Sequence, residues 1–352
     1  MRRGSLTRRP AEQEWTMLVD SSLPHQIAHT KANAAAIEEV GYDGIWLGET
    51  KHEPFLQILH AADATERVML GTGVAIAFAR SPMTLANAAF DMAAYSKGRF
   101  VLGLGSQIKP HITKRFSMPW SHPAARMREL IMATRAIWAT WQDGAPLEFR
   151  GEFYTHTLMS PFFAPDPHQY GPPPVYLAGV GELMTEVAGE ICDGFLYHPF
   201  TTDRYIREVT IPALLRGRAK VGKADLDGFV ISGPGFICTG RDDKEMAAAI
   251  KGTKAQIAFY ASTPAYRGVL ELHGWGDLQG ELGRMTKAGR WTELGDVIDD
   301  EVLHAFAVVG GPTEAGRGLN QRWGGIASRI TIYATYPSEP TMWPEVIDAI
   351  RT

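Results

Sequence analysis

Between residues 67 and 107, two apolar runs that end in glycine bracket a long amphipathic stretch. Val68-Met69-Leu70 runs into Gly71-Thr72-Gly73-Val74, and Gly98-Arg99 launches Phe100-Val101-Leu102-Gly103-Leu104-Gly105-Ser106. Pro82 to Tyr95 lies between them and reads as a helix. Apolar runs of this kind, joined by a helical stretch, predict parallel strands buried on both faces with a crossover helix. Glycines at the C-terminal strand ends leave room for a ligand over the face of a barrel. The piece Gly103-Leu104-Gly105 does not extend into a dinucleotide fingerprint. Position 108 is Ile, and Lys109-Pro110-His111 is poor helix-start chemistry.

The alternation continues along the chain. Trp15 to Val19 reads as a first strand, ending at Asp20-Ser21-Ser22, and His25 to Val40 as a helix capped by Gly41. Gly44 to Gly48 is a second strand ended by Glu49, and Pro54 to Thr65 a second helix. Pro123 to Trp141 is a helix with Met127, Leu130, Ile131, Thr134, Ile137, Trp138 and Trp141 on one stripe. Leu147 to Tyr154 reads as a small hairpin turning near Gly151. Val175–Gly179, Cys192–His198, Phe229–Cys238 and Arg329–Ala334 supply strands five to eight, followed by a terminal helix from Trp343 to Ile350. Eight strands in this order predict an α/β fold, a (β/α)8 TIM barrel.

Two segments exceed ordinary loop length and read as insertions: Gln107 to Ser121 after strand four, and Ser262 to Ala307 before strand eight. Insertions that follow strands lie over the C-terminal face, where such barrels hold their active sites. Residues 15–352 read as one domain and residues 1–14 as a flexible basic arm. That arm lacks the apolar core of a secretory signal.

Composition narrows the classes of function. The net charge of −4 argues against nucleic acid as a partner. No apolar run approaches the ~20 residues that a membrane helix needs. A soluble, cytoplasmic protein is expected. Cys192 and Cys238 sit in apolar runs and read as buried thiols of a reducing compartment. No Cys/His set has metal-ligand spacing, so no metal is expected.

The ordered set Gly41-Tyr-Asp-Gly-Ile-Trp-Leu-Gly-Glu49, Leu70-Gly-Thr-Gly-Val74, Ser81-Pro82, Gly98-Arg-Phe-Val-Leu-Gly-Leu-Gly-Ser106, Tyr176-Leu-Ala-Gly179 and Ala188-Gly-Glu-Ile-Cys-Asp-Gly194 resembles the luciferase-like monooxygenase superfamily. It is most similar to the branch that uses the deazaflavin coenzyme F420, over roughly residues 15 to 340. The resemblance implies a tricyclic ring at the barrel mouth, backed by a strand-three bulge with a non-prolyl cis peptide at Gly73-Val74. It places the cofactor phosphate at Ala178-Gly179-Val180-Gly181, where free N–H groups of a helix start suit an anion. Ser106 and Gln107 would lie beside the ring or its side chain, and Asp20, Glu49 and Thr72 complete the implied cofactor contacts.

Glu49 ends strand two, where the resemblance implies an acidic or His residue touching the cofactor, and His52 follows three residues on. Either reads as a proton donor or acceptor near the reacting carbon, or as a loop-surface residue. His198, after strand six, reads as a substrate contact or a structural cap, and Trp120 as part of an apolar substrate pocket. Two departures separate the chain from deazaflavin enzymes that oxidise sugar phosphates. Thr50 stands where they carry His, and Gln107-Ile108 where they carry Glu.

The leading reading is hydride transfer between coenzyme F420 and a small, hydrophobic molecule. An FMN-dependent monooxygenase using O2, fed by a separate reductase, is the alternative. A non-catalytic flavin-binding relative is the third. Relatives imply a homo-oligomer.

Overall fold

The computed structural model describes residues 16–352. The expected basic arm and Trp15 lie outside these residues. Twelve strands are described. Eight form a closed parallel cylinder: β1 (Leu18–Ser22), β2 (Gly44–Leu47), β3 (Met69–Thr72), β5 (Phe100–Gly105), β8 (Val175–Ala178), β9 (Gly194–Leu196), β10 (Val230–Cys238) and β12 (Arg329–Tyr333). The short β4 (Ala75–Ile76) continues β3 along β5, and β6 (Phe149–Arg150) pairs antiparallel with β7 (Thr155–His156) as a hairpin. The cylinder closes where Leu18 on β1 pairs with Arg329 on β12.

Local chemistry sets the helices around the barrel. Gly41, at φ 102°, ends α1 (Thr30–Val40) in the left-handed conformation that glycine adopts without strain. Glu53 caps α2 (Pro54–Asp63), which starts on proline. Ser81 and Thr84 form a reciprocal capping box at the start of α3 (Pro82–Tyr95). Helix α4 (Pro123–Asp143) buries Met127, Leu130, Ile131, Thr134, Ile137, Trp138 and Trp141, the stripe expected from the sequence. Helix α5 (Glu182–Ile191) follows β8. Gly189 of α5 packs so closely on the helix Ile211–Ala219 that a Cβ there would lie 2.1 Å from the carbonyl oxygen of Leu214.

Three differences from the sequence reading matter. Strand β1 reaches Ser22, three residues past its expected end, so Asp20 sits mid-strand inside the barrel rather than at its mouth. The stretch from His25 begins with a tight 3-10 turn at Ile27–His29 before α1. Strand β11 (Ala307–Val309), paired with the far end of β10, and the helix Pro312–Trp323 were not anticipated. The segment 262–306 is helical in pieces and packs with the helix Asp243–Ala261. Together they bury Ile257, Leu270, Leu282, Leu294 and Phe306 in a smaller cluster beside the barrel core. Among the described residues no helix is long and apolar enough to cross a membrane.

Candidate active site

The bulge between β3 and β4 shapes the barrel mouth. Gly71 pairs with Val101 and Ala75 with Leu104, so four steps on one side span three on the other. The extra residue would strand backbone groups of β5. Thr72 satisfies them with its side chain: its hydroxyl donates to the Gly103 carbonyl at 2.7 Å and accepts the Gly103 N–H at 2.9 Å. The peptide Gly73-Val74 is cis, at the position the family resemblance implied. Small residues are required around it. A Cβ on Gly103 would lie 1.8 Å from the Thr72 carbonyl oxygen, and one on Gly105 would lie 2.6 Å from Val74 Cγ2.

Val74 opens onto a cleft of about 440 Å3. The barrel supplies Gly105, Ser106, Gln107, Ala178 and Leu196 to its walls, and the loops supply Lys109, Trp120 and Tyr266. Val180, Gly181 and Met184 complete one end at the start of α5. That helix has no side-chain cap; Gly181 is its first flanking residue, and a Cβ there would meet nothing within 4 Å. Uncapped N–H groups below open space, with Lys109 also on the cleft wall, suit a phosphate. The apolar wall of Val74, Ala178 and Leu196 suits a planar ring. The lining of this cleft therefore fits a flavin-type cofactor.

The structure brings together Val74, Ser106, Gln107, Ala178, Gly179, Val180, Gly181, Trp120 and His198 around this cleft. Gln107 adopts φ 59° and folds its amide oxygen back onto the Ile108 N–H at 3.0 Å. Trp120 packs edge-on against Phe78 with ring centroids 5.6 Å apart. Thr72 and Gly73 form the bulge behind Val74 and do not themselves line the cleft.

Asp20, Glu49 and His52 lie elsewhere. Asp20 is fully buried within the barrel, where it accepts from Trp46 Nε1 at 2.9 Å and from Arg329 Nε at 2.9 Å. Glu49 Oε2 accepts the Ile76 N–H at 2.7 Å and pairs with Arg80 Nη1 at 2.6 Å, while the Glu49 N–H donates to the Val74 carbonyl at 3.0 Å. Both ends of Glu49 thus grip the bulge from behind. His52 is exposed on the loop before α2, near His25, whose pKa is lowered by burial and by the charges of His52 and Lys51.

Tyr266, which sequence reasoning passed over, closes the cleft opposite the barrel wall. Its ring stacks on His198 with centroids 4.4 Å apart and planes 21° apart. Burial lowers the His198 pKa to about 4, so the imidazole is neutral at physiological pH. The signal available in the sequence was only its position: Pro264-Ala265-Tyr266 opens the segment expected to overhang the mouth.

Residues 10–325 match a sequence model described as luciferase-like monooxygenase. An uncharacterized protein of Mycobacterium tuberculosis is 54% identical over 312 residues, covering 89% of this chain and 92% of its own. Among solved structures, the coenzyme F420-dependent tetrahydromethanopterin reductase of Methanopyrus kandleri superposes with a TM-score of 0.76 at 18% identity. That match covers 96% of this chain and 97% of that one. The oxygenating constituent of 3,6-diketocamphane monooxygenase from Pseudomonas putida, in complex with FMN, has a TM-score of 0.67 at 17% identity, covering 95% and 96%. At these identities the two structures establish the shared barrel.

Proposed function

The chain belongs to the luciferase-like monooxygenase family, and from that premise we propose that it transfers a hydride between coenzyme F420 and a small, hydrophobic organic substrate. One observation carries the reading: the bulge at Val74, the strand end at Ser106 and the uncapped start of α5 at Gly181 converge on a single cleft. A deazaflavin bound there supplies hydride chemistry at a ring carbon and reacts poorly with oxygen.

The residues of the chain divide the remaining work. Val74, Ala178 and Leu196 exclude water from the ring's surroundings. The N–H groups after Gly181, helped by Lys109, hold the phosphate. Glu49 fixes the bulge from behind, because its Oε2 already accepts from Ile76 and Arg80. Trp120, His198 and Tyr266 form the wall that the substrate meets. The reading brings with it a small-molecule partner and a homo-oligomeric assembly, the latter checked by sedimentation.

The competing reading is an FMN monooxygenase, because FMN enzymes share the barrel. Titration of intrinsic fluorescence separates the two, since nine tryptophans provide the signal. The proposal expects quenching by the deazaflavin at concentrations where FMN has little effect. Tight binding of FMN without binding of the deazaflavin overturns it. Binding of deazaflavin with no turnover across a panel of aldehydes, ketones and alcohols supports the non-catalytic reading instead.

A further inference from the structure

His198 uses both of its ring nitrogens. Nδ1 accepts the backbone N–H of Phe200 at 3.0 Å, and Nε2 lies 3.0 Å from the Tyr266 hydroxyl. A nitrogen that accepts carries no proton, so the neutral ring holds its single proton on Nε2. The imidazole is then the donor and Tyr266 Oη the acceptor. The phenol keeps its own O–H, which has no other partner among the described residues. Burial raises the Tyr266 pKa, so that proton stays on the oxygen at neutral pH. Tyr260 meets His198 edge-on, and its hydroxyl pairs with that of Tyr333 at 2.8 Å; neither of these two tyrosines lines the cleft, so they present no second donor there.

His198 and Tyr266 both line the cleft, among apolar side chains of Val74, Met184, Leu196 and Ala265. The other hydroxyl on the cleft, Ser106 Oγ, donates to the Gln107 carbonyl at 3.1 Å, and Lys109 sits with it on the cleft wall. An uncommitted O–H donor among apolar side chains selects for a ligand with one hydrogen-bond acceptor on a hydrophobic body. We propose that Tyr266, held in its donor orientation by the neutral His198, recognises the carbonyl oxygen of a hydrophobic aldehyde or ketone. This deepens the hydride-transfer reading and rests on it for the reaction step. A hydrogen bond to the oxygen draws electron density from the carbonyl carbon and eases arrival of hydride from the reduced deazaflavin. As the carbon–hydrogen bond forms, the π pair of the carbonyl moves to oxygen, which takes the Tyr266 proton to give the alcohol. The resulting phenolate is stabilised by the Nε2–H of His198 until a proton returns from solvent. Tyr266 is the catalytic donor and His198 its positioning residue.

The test compares cyclohexanone with methylenecyclohexane, which has the same shape but no lone-pair acceptor. Affinities for the full-length protein are measured by tryptophan fluorescence, with and without the deazaflavin. The wild type is expected to prefer the ketone by about three- to ten-fold, the range of one neutral hydrogen bond. Tyr266→Phe abolishes that preference and reverses the red-shift of the bound ketone's infrared carbonyl band. His198→Gln, whose side-chain amide can still donate, retains most of the preference, whereas His198→Phe loses it. Nitrogen NMR of labelled histidine reports the Nε2–H tautomer in the wild type. Equal affinity of wild type for the two ligands, no measurable binding of either, or an undiminished preference in Tyr266→Phe overturns the proposal. Failure of the deazaflavin to bind, with the ketone preference intact in its absence, overturns the hydride-transfer reading alone.

Discussion

Asp20 and Arg329 join the first barrel strand to the last: Arg329 Nε donates to Oδ2 at 2.9 Å and Nη2 to Oδ1 at 2.5 Å, with Asp20 fully buried and Arg329 nearly so. Trp46 Nε1 donates to the same Oδ2 at 2.9 Å, which ties β2 into the pair. Gly44 leaves the room, since a Cβ there would lie 2.5 Å from Oδ1. Removing one partner of a buried pair leaves an uncompensated charge and costs about 3–5 kcal/mol. Asp20→Ala is expected to lose that much stability in urea denaturation. Combining Asp20→Leu with Arg329→Met is expected to cost less than the sum of the two single changes, because the two sites are in contact.

Glycines at the mouth divide into two kinds, and alanine scanning separates them. Gly103→Ala drives a methyl into the Thr72 carbonyl and breaks the bulge, with an expected loss of about 3 kcal/mol or more. Gly181→Ala projects into open space and is expected to change stability by less than about 1 kcal/mol. That added methyl nevertheless occupies the room above the start of α5. Weaker deazaflavin binding with a near-normal melting temperature is the expected outcome, checked by calorimetry and fluorescence titration on one preparation.

Glu49 and His52 are distinguished by what they touch. Glu49→Ala frees the Ile76 N–H and the Arg80 guanidinium, at an expected cost of about 1–3 kcal/mol, and loosens the bulge behind the ring. Cofactor affinity falls with it. His52→Ala changes stability by no more than about 0.5 kcal/mol, as for an exposed loop residue. A drop in kcat of a hundred-fold or more for His52→Ala, with loss of one limb of the pH profile, would restore His52 as the proton donor.

His198 makes stability depend on pH in a definite window. Its folded pKa is about 4, below the unfolded value of 6.5. Between these values the unfolded chain binds more protons, so stability rises with pH across the window and falls as the solution is acidified. The full effect is on the order of 3 kcal/mol. Denaturation between pH 7.5 and pH 4 should therefore show a shallower pH slope for His198→Gln than for the wild type. Parallel slopes would refute the burial of a neutral imidazole.

Much of the barrel was legible because its strands are apolar on both faces and punctuated by glycine. The start of α3 could be read from Ser81-Pro82, a cap followed by proline. The bulge was legible through the family resemblance. Side-chain destinations were not. Glu49 looks like a residue of the mouth until Arg80, thirty-one positions away, claims its carboxylate. Asp20 looked like the end of a strand because Ser21 and Ser22 are polar, yet backbone pairing with Ile45 and Trp46 extends β1 through them. β11 has only three residues, too few for any periodicity to register, and exists because the end of β10 offers it a partner. Tyr266 lies in a stretch with no repeat of either period.

The two walls of the cleft are built on separate foundations. Val74 and Ala178 stand on the barrel, whereas Tyr266 stands on the cluster formed by the segment after β10. Sequence drift in that outer piece can retune the choice of molecule without disturbing the redox platform. A directed-evolution library confined to residues 262–306 is thus the economical way to give this scaffold new selectivities.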